Sequence, residues 1–422
     1  MKKLHRMPMR RRTFIKTASV FAIGAGLGVA AEKKSISEAF DREVLAFMEP
    51  RQIPGGALAV VKDRRLIYAK AYGWADREKK VPARPDSLFR IASISKPITA
   101  AAIMQLVEKA KLKLEQPAFD LLGSDYCPSG NSPLDARIRQ TTIRNLLDHT
   151  GGWDREKSFD PMFRCKTIAE KQGVPCPPKS RDVICYMLGQ KLDFDPGSSY
   201  AYSNFGYCVL GRIIEKVTGL PYDRYVKENV LAPLSINRMR LGQSCESVSG
   251  EVKYYTPENG RVKSVFADAT VPWPYGGFCL EAMDAHGGWL ASAVDLARFA
   301  SGLQDPSACP ILQSSTLAAM YERPAPPVSR DSDGKPSSSY YGCGWMVRPV
   351  GSKGKANYWH NGSLPGTYTL LVRRSDGLSW TVLFNQRSED KEQPDSALDP
   401  AMHRAADAVA EWPTNNLFSD FA

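Results

Sequence analysis

The run Phe89-Arg90-Ile91-Ala92-Ser93-Ile94-Ser95-Lys96-Pro97 sets a hydroxyl and an amine three residues apart where a helical pattern begins. On a helix, positions i and i+3 share a face, so Lys96 can reach the oxygen of Ser93. A serine hydroxyl attacks a carbonyl poorly until a base takes its proton. A lysine can be that base when burial lowers its pKa. The same spacing occurs at Ser332 to Lys335 and at Ser388 to Lys391. The first of these lies in a Gly/Ser/Pro-rich stretch and the second in a polar loop. Only Ser93 is followed by apolar residues at helical spacing, namely Ile103, Leu106, Val107 and Ala110. Pro97 suits a first helical turn. The positive end of the helix would also favour negative charge developing at Ser93.

The elements that must hold this pair in place lie along the whole chain. Residues 35–48 read as an amphipathic helix. Gly55 to Val61 and Arg65 to Tyr72 read as a hairpin around Lys62, Asp63 and Arg64. From residue 98 to about 290 the pattern is mainly helical, broken by Pro and Gly, and Cys208 to Val217 is its clearest piece. Leu296 to Leu303 is a further helix. Residues 153–198 read as irregular, which suggests a functional loop or lid. Strands return at Tyr341–Pro349, Thr367–Arg373 and Leu378–Asn385, with a turn at Ser375-Asp376-Gly377, and residues 397–410 form a closing helix. Strands at both ends and helices between them predict an α+β arrangement. One antiparallel sheet is built from both chain ends (about 32–95 and 292–415), is flanked by helices, and carries an inserted helical lobe (about 96–291). A site is expected in the cleft between them.

Composition narrows the function. The 422 residues carry a formal net charge of +11, but residues 1–31 hold seven Lys/Arg and no acid. The rest has 49 basic and 45 acidic residues, an ordinary surface balance that argues against nucleic-acid binding. Arg11-Arg12-Thr13-Phe14-Ile15-Lys16, the apolar run from Ala18 to Ala31 and the small residues Val29, Ala30 and Ala31 read as a twin-arginine-type signal peptide. No later stretch is apolar enough for a membrane span. The expected product is exported, periplasmic or extracellular, without a permanent membrane anchor, and monomeric. Nine cysteines in an oxidising compartment permit disulfides. Cys165–Cys176 is the first expectation and Cys127–Cys185 a weaker one. Cys208 and Cys343 read as core residues. No Cys or His spacing suits a metal, and no metal or cofactor is expected.

Two further motifs carry a resemblance. Tyr202-Ser203-Asn204 sits in Pro196-Gly197 … Tyr202-Ser203-Asn204-Phe205-Gly206-Tyr207. It continues through Gly211, Ile213, Ile214, Glu215, Val217, Thr218, Gly219, Tyr222, Pro233 and Leu234. His360-Asn361-Gly362-Ser363 precedes the late strands. With Ser93–Lys96, and over roughly residues 36 to 410, the chain resembles the penicillin-recognising serine hydrolases. The branch is that of class C β-lactamases, DD-peptidases and family VIII carboxylesterases. The related class A enzymes carry S-x-x-K first and K-T-G last. No G-x-S-x-G elbow and no phosphate-cradling glycine loop supports another hydrolase or a nucleotide enzyme.

The resemblance implies a β-lactamase/transpeptidase-like fold and an acyl-enzyme on Ser93, with Lys96 taking its proton or stabilising the anion. Tyr202 would shuttle protons, its ionisation favoured by a nearby ammonium. Asn204 would bond both Lys96 and a substrate carbonyl. The backbone N–H groups of Ser93 and Ser363 would form the oxyanion hole, and Gly362 would let a substrate lie against its strand. His360 stands where many relatives have a lysine. It would contribute to substrate binding, or alternatively make a structural hydrogen bond at a strand start. His149, in Leu146 to Gly152, reads as a hydrogen-bonded loop anchor. His286 has no assigned role and is expected in solvent or a glycine loop. The substrate would be a small ester, amide or β-lactam, or a cell-wall peptide, with an esterase favoured. The alternatives are a D-stereospecific peptidase, a β-lactamase, or a catalytically silent binding domain.

Overall fold

The structure, a computed structural model, describes residues 34–123, 126–127, 134–257, 260–351 and 354–421. The signal-like segment at 1–31 lies outside the described residues. Eight strands form the main sheet: β1 (Gly55–Lys62), β2 (Arg65–Asp76), β3 (Val81–Pro82), β4 (Tyr340–Tyr341), β5 (Met346–Val350), β6 (Lys355–Leu364), β7 (Thr367–Arg373) and β8 (Leu378–Phe384). Their order is β3-β2-β1-β8-β7-β6-β5-β4, with every neighbouring pair antiparallel. The early hairpin closes at Lys62 opposite Arg65. Asp63 and Arg64 both take positive φ, 48° and 66°, as a two-residue turn matched to strand twist requires. The sheet joins the two chain ends through β1 and β8, in register from Gly56 opposite Phe384 to Lys62 opposite Leu378.

Five helices matter for the site: α1 (Ile36–Met48), α2 (Ser95–Glu108), α3 (Asn204–Thr218), α4 (Ala293–Gly302) and α5 (Leu398–Ala408). α1 begins at a capping box in which the Ser35 and Glu38 side chains bond each other's backbone N–H. Alternation along β1 sends Leu58 and Val60 to one face and Ala57, Ala59 and Val61 to the other. On the first face they pack with Phe40 and Val44 of α1, Trp380 and Val382 of β8, and Met402 of α5. The second face meets α4 and the helical region around α2 and α3. α2 is buried from Ser95 to Leu106, so it runs through the core rather than along a surface.

Several expectations need correction. Residues 153–198 are not wholly irregular, since they hold helices at Cys165–Gln172 and Ser180–Leu188. The run Tyr341–Pro349 is two short strands, interrupted at Gly344. That glycine has a φ of 83°, and a Cβ there would lie 2.5 Å from the Ala100 Cβ. β6 is a strand the pattern does not announce, because its polar residues and glycine mask the alternation. The disulfide is Cys127–Cys185, with Cα atoms 5.5 Å apart, and Cys165 and Cys176 are free thiols. Cys165 is buried at the start of its helix, whereas Cys176 is exposed beyond the helix end with its Sγ 3.2 Å from the Val265 carbonyl oxygen. Among the described residues no helix is long and apolar enough to cross a membrane.

Candidate active site

Ser93 lies in a one-turn 3-10 helix, Ala92–Ile94, that feeds directly into α2. Ala92 just before it has a φ of 47°, a left-handed conformation that costs a residue with a Cβ about 1 kcal/mol or more. The surroundings hold this turn. Ser95 Oγ donates to the Ala92 carbonyl at 2.7 Å, and Thr369 Oγ1 of β7 donates to the Ile91 carbonyl at 3.0 Å. Gly362 of β6 lies directly beneath. A Cβ there would stand 2.2 Å from the Ile91 carbonyl oxygen and 2.4 Å from Thr369 Oγ1. Gly362 is therefore required by packing under the Ser93 turn, a demand the sequence pattern does not record.

Lys96 is fully buried, one turn along from Ser93. Its Nζ has three neighbours: Ser93 Oγ at 3.1 Å, Asn204 Oδ1 at 2.8 Å and the His286 carbonyl oxygen at 3.0 Å. The last two can only accept hydrogen bonds. A neutral amine that donates to both keeps its lone pair for the third neighbour, the hydroxyl of Ser93. Burial pushes the Lys96 pKa well below its usual value of 10.5, against the pull of the Asp160 carboxylate and helped by the Arg155 charge.

The segment that delivers Tyr202 and Asn204 ends in a helix cap. Ser203 is the N-cap of α3, its side chain accepting from Gly206 N at 3.3 Å, which leaves Asn204 as the first helical residue. Asn204 Nδ2 donates to Asp160 Oδ2 at 2.6 Å, so the carboxylate fixes which way the amide faces. The other N–H of that amide has no hydrogen-bond partner among the described residues. The segment is aligned by His149, whose Nδ1 accepts from Ser203 N at 3.2 Å and whose carbonyl accepts from Ala201 N at 3.0 Å. His149 is buried, has a φ of 62° and lies 4.3 Å, ring to ring, from Tyr202. It is a loop anchor, as the sequence suggested.

The Tyr202 hydroxyl is buried beside Ser93 but, among the described residues, completes no hydrogen bond of regular geometry. Burial raises its pKa above the ordinary 10, with Ser93 acting in the opposite sense. Lys96 Nζ lies over the ring, 4.6 Å from its centroid, rather than at the oxygen. The expected phenolate is thus corrected to a neutral phenol. His360 is buried in the middle of β6, not at its start. Its Nδ1 faces the Asn361 carbonyl at 2.6 Å and its Nε2 faces the Tyr341 hydroxyl at 2.8 Å. The carbonyl requires Nδ1–H, so Nε2 accepts from the tyrosine. Burial, aided by the Lys96 charge, lowers its pKa to about 3. His360 is thus a neutral ring held by hydrogen bonds at both nitrogens, in mid-strand rather than at a strand start. Ser363 is exposed on the same strand, and its Oγ accepts from Arg387 Nη1 at 3.4 Å.

The structure therefore brings Ser93, Lys96, Tyr202 and Asn204 together and sets Gly362 and Ser363 on the adjoining strand. Sequence reasoning missed Asp160, Arg155, Tyr341 and the His286 carbonyl. Asp160 and Arg155 lie in the segment singled out as a possible lid, but no motif marked them. His286 is buried rather than solvated, because its main chain must reach Lys96. Among the described residues no group of three His, Cys, Asp or Glu side chains could hold a metal ion.

An alcohol beside a buried amine and a phenol, between an antiparallel sheet and a helical region, defines a serine hydrolase of the β-lactamase/transpeptidase fold. The chain belongs to the Beta-lactamase family, whose model matches residues 40–401. Penicillin-binding protein 4* of Bacillus subtilis (strain 168) is 27% identical over 361 residues, 84% of this chain and 73% of that protein. Among solved structures, D-amino acid amidase from Ochrobactrum anthropi SV3 superposes with a TM-score of 0.68 at 21% identity, covering 88% of this chain and 98% of that one. EstCE1, a hydrolase with promiscuous acyltransferase activity, gives a TM-score of 0.68 at 21% identity, covering 89% and 98%.

Proposed function

We propose that this protein hydrolyses small esters, and more slowly amides, through an acyl-enzyme on Ser93. The observation that carries the reading is the set of neighbours around Lys96, two pure acceptors and one hydroxyl, which turns the amine lone pair toward Ser93. Lys96 takes the Ser93 proton as the oxygen attacks the substrate carbonyl. Tyr202, as a phenol beside Ser93, passes a proton to the leaving group and recovers it from the water that later frees the acyl group. The spare N–H of Asn204 holds the substrate carbonyl side. The backbone N–H groups of Ser93 and Ser363 receive the oxyanion, and one such donor is worth about 3 kcal/mol of barrier. Neutral His360 gives β6 no fixed positive charge, which favours esters over the carboxylate-bearing β-lactams as substrates. Likeness to an esterase and to a D-amino acid amidase in fold is in keeping with both chemistries. Export belongs to the same reading and rests on the sequence of residues 1–31.

The test assays p-nitrophenyl esters, a chromogenic cephalosporin and D-amino-acid amides side by side, with Ser93→Ala as control. Ester turnover should exceed cephalosporin turnover and vanish in the variant. Ester hydrolysis that survives Ser93→Ala removes the proposal.

A further inference from the structure

Neither Lys96 nor His360 is free to meet an anionic substrate. Lys96 spends its contacts on Ser93, Asn204 and His286, and His360 is closed between Asn361 and Tyr341. The cation that stands over Tyr202 from the surface is Arg155. Its Cζ lies 5.1 Å from the Tyr202 ring centroid, and its side chain is 43% exposed. Nε is engaged by the exposed Glu156 at 3.2 Å, while the two terminal nitrogens have no hydrogen-bond partner among the described residues. Two parallel N–H groups on a guanidinium match a carboxylate in a fork. Arg155 also helps to hold Lys96 and His149 below their ordinary pKa values, so its charge reaches the site. Arg387 on the sheet side is less available. It is bound to Glu389 at 2.6 Å and to Ser363 at 3.4 Å, and it lies over the Trp273 ring.

We propose that Arg155 is a specificity residue that takes a carboxylate of the substrate, so that the preferred esters and amides carry an acidic group close to the scissile carbonyl. The inference rests on the acyl-enzyme reading above and adds a substrate class to it. A cation placed on the helical wall, instead of on β6, selects substrates of a different shape from those a lysine at position 360 would hold.

The experiment compares p-nitrophenyl hemiesters of succinate and glutarate with their neutral methyl-ester counterparts, using wild type, Arg155→Gln, Arg155→Lys and Arg387→Gln. The readout is the ratio of kcat/KM, acidic over neutral. Wild type should favour the acid by about tenfold, the scale of one charge-assisted pair, and mainly through KM. Arg155→Gln should abolish that preference and Arg155→Lys should keep part of it. A wild-type ratio near one, or a preference lost in Arg387→Gln but kept in Arg155→Gln, overturns the proposal. Calorimetric binding of glutarate to Ser93→Ala, with and without Arg155→Gln, probes the same contact without turnover, with binding about tenfold weaker expected in the double variant. Equal binding by the two would likewise overturn it. Ester turnover that persists in Ser93→Ala would instead sink the acyl-enzyme reading, whatever the ratio.

Discussion

Lys96 meets Tyr202 through the face of the aromatic ring, with Nζ 4.6 Å from the centroid, and not through the phenolic oxygen. It does not draw the proton from the hydroxyl as a contact at the oxygen would. The resting site is therefore an amine facing an alcohol, with an un-ionised phenol beside them.

This arrangement fixes the expected pH dependence. The base must be unprotonated, so kcat/KM should rise with pH until Lys96 loses its proton and then level off. Because Lys96 is held well below 10.5, the plateau should arrive well short of that value. The raised pKa of Tyr202 should prevent the fall near pH 10 that an ordinary phenol would give. A rate still climbing at about pH 10 would mean that Lys96 is not the base.

Gly362→Ala probes the platform under Ser93. The new methyl would collide with the Ile91 carbonyl oxygen and Thr369 Oγ1, and backbone on that side cannot yield cheaply. A loss of roughly 1–3 kcal/mol in stability is expected. Ester turnover should drop more than tenfold, because the displaced turn carries the nucleophile. Unfolding midpoints and kcat measured together would check this, and a variant with full activity would contradict the packing argument.

Asp148 should make stability fall as pH rises. It is buried, accepts from Thr150 N and Oγ1, and has a pKa raised by burial from 3.8 to about 7. The folded state thus holds this proton more tightly than the unfolded chain. The stabilisation is complete below about 4 and is lost as pH climbs through 7. Asp148→Asn keeps an acceptor for Thr150 and has no proton to lose. Its stability relative to wild type should improve between pH 4.5 and 8 by about 3 kcal/mol. Urea unfolding at the two pH values measures the change, and a constant difference would refute it.

The cystine tie can be tested without activity. Cys127–Cys185 closes a separation of 58 residues and ties the stretch after α2 to the helix Ser180–Leu188. Reduction should cost roughly 2–4 kcal/mol. Mass mapping of oxidised protein should find that one crosslinked pair, with Cys165 and Cys176 both alkylated. A Cys165–Cys176 peptide would reverse the assignment.

How much of this can be read from the chain depends on which forces write themselves into local pattern. The hairpin at Lys62–Arg65, α1 with its Ser35 cap, β7, β8 and α5 are legible because alternation, helical period and turn residues all agree there. Ser93, Lys96, Tyr202 and Asn204 are legible because their order and context match a family. β6 is hidden, since the inward positions of a strand that carries a site include His360 and Gly362 in place of aliphatic residues. Asp160 and Arg155 are hidden for another reason. They act through a fold that carries residues 153–163 to the cleft, and nothing within a short window records that. The expected Cys165–Cys176 bridge fails because nearness in sequence is not nearness in space.

β1 is hydrogen-bonded along its length to β8, more than three hundred positions later. A ribosome must add more than three hundred residues after β1 before the first hairpin can find the partner on which the Ser93 platform depends. Slow, late assembly follows from such distant pairing. The nascent chain must stay soluble with its middle strand position vacant, and a product cut before β6 would retain Ser93 but lose the floor it stands on.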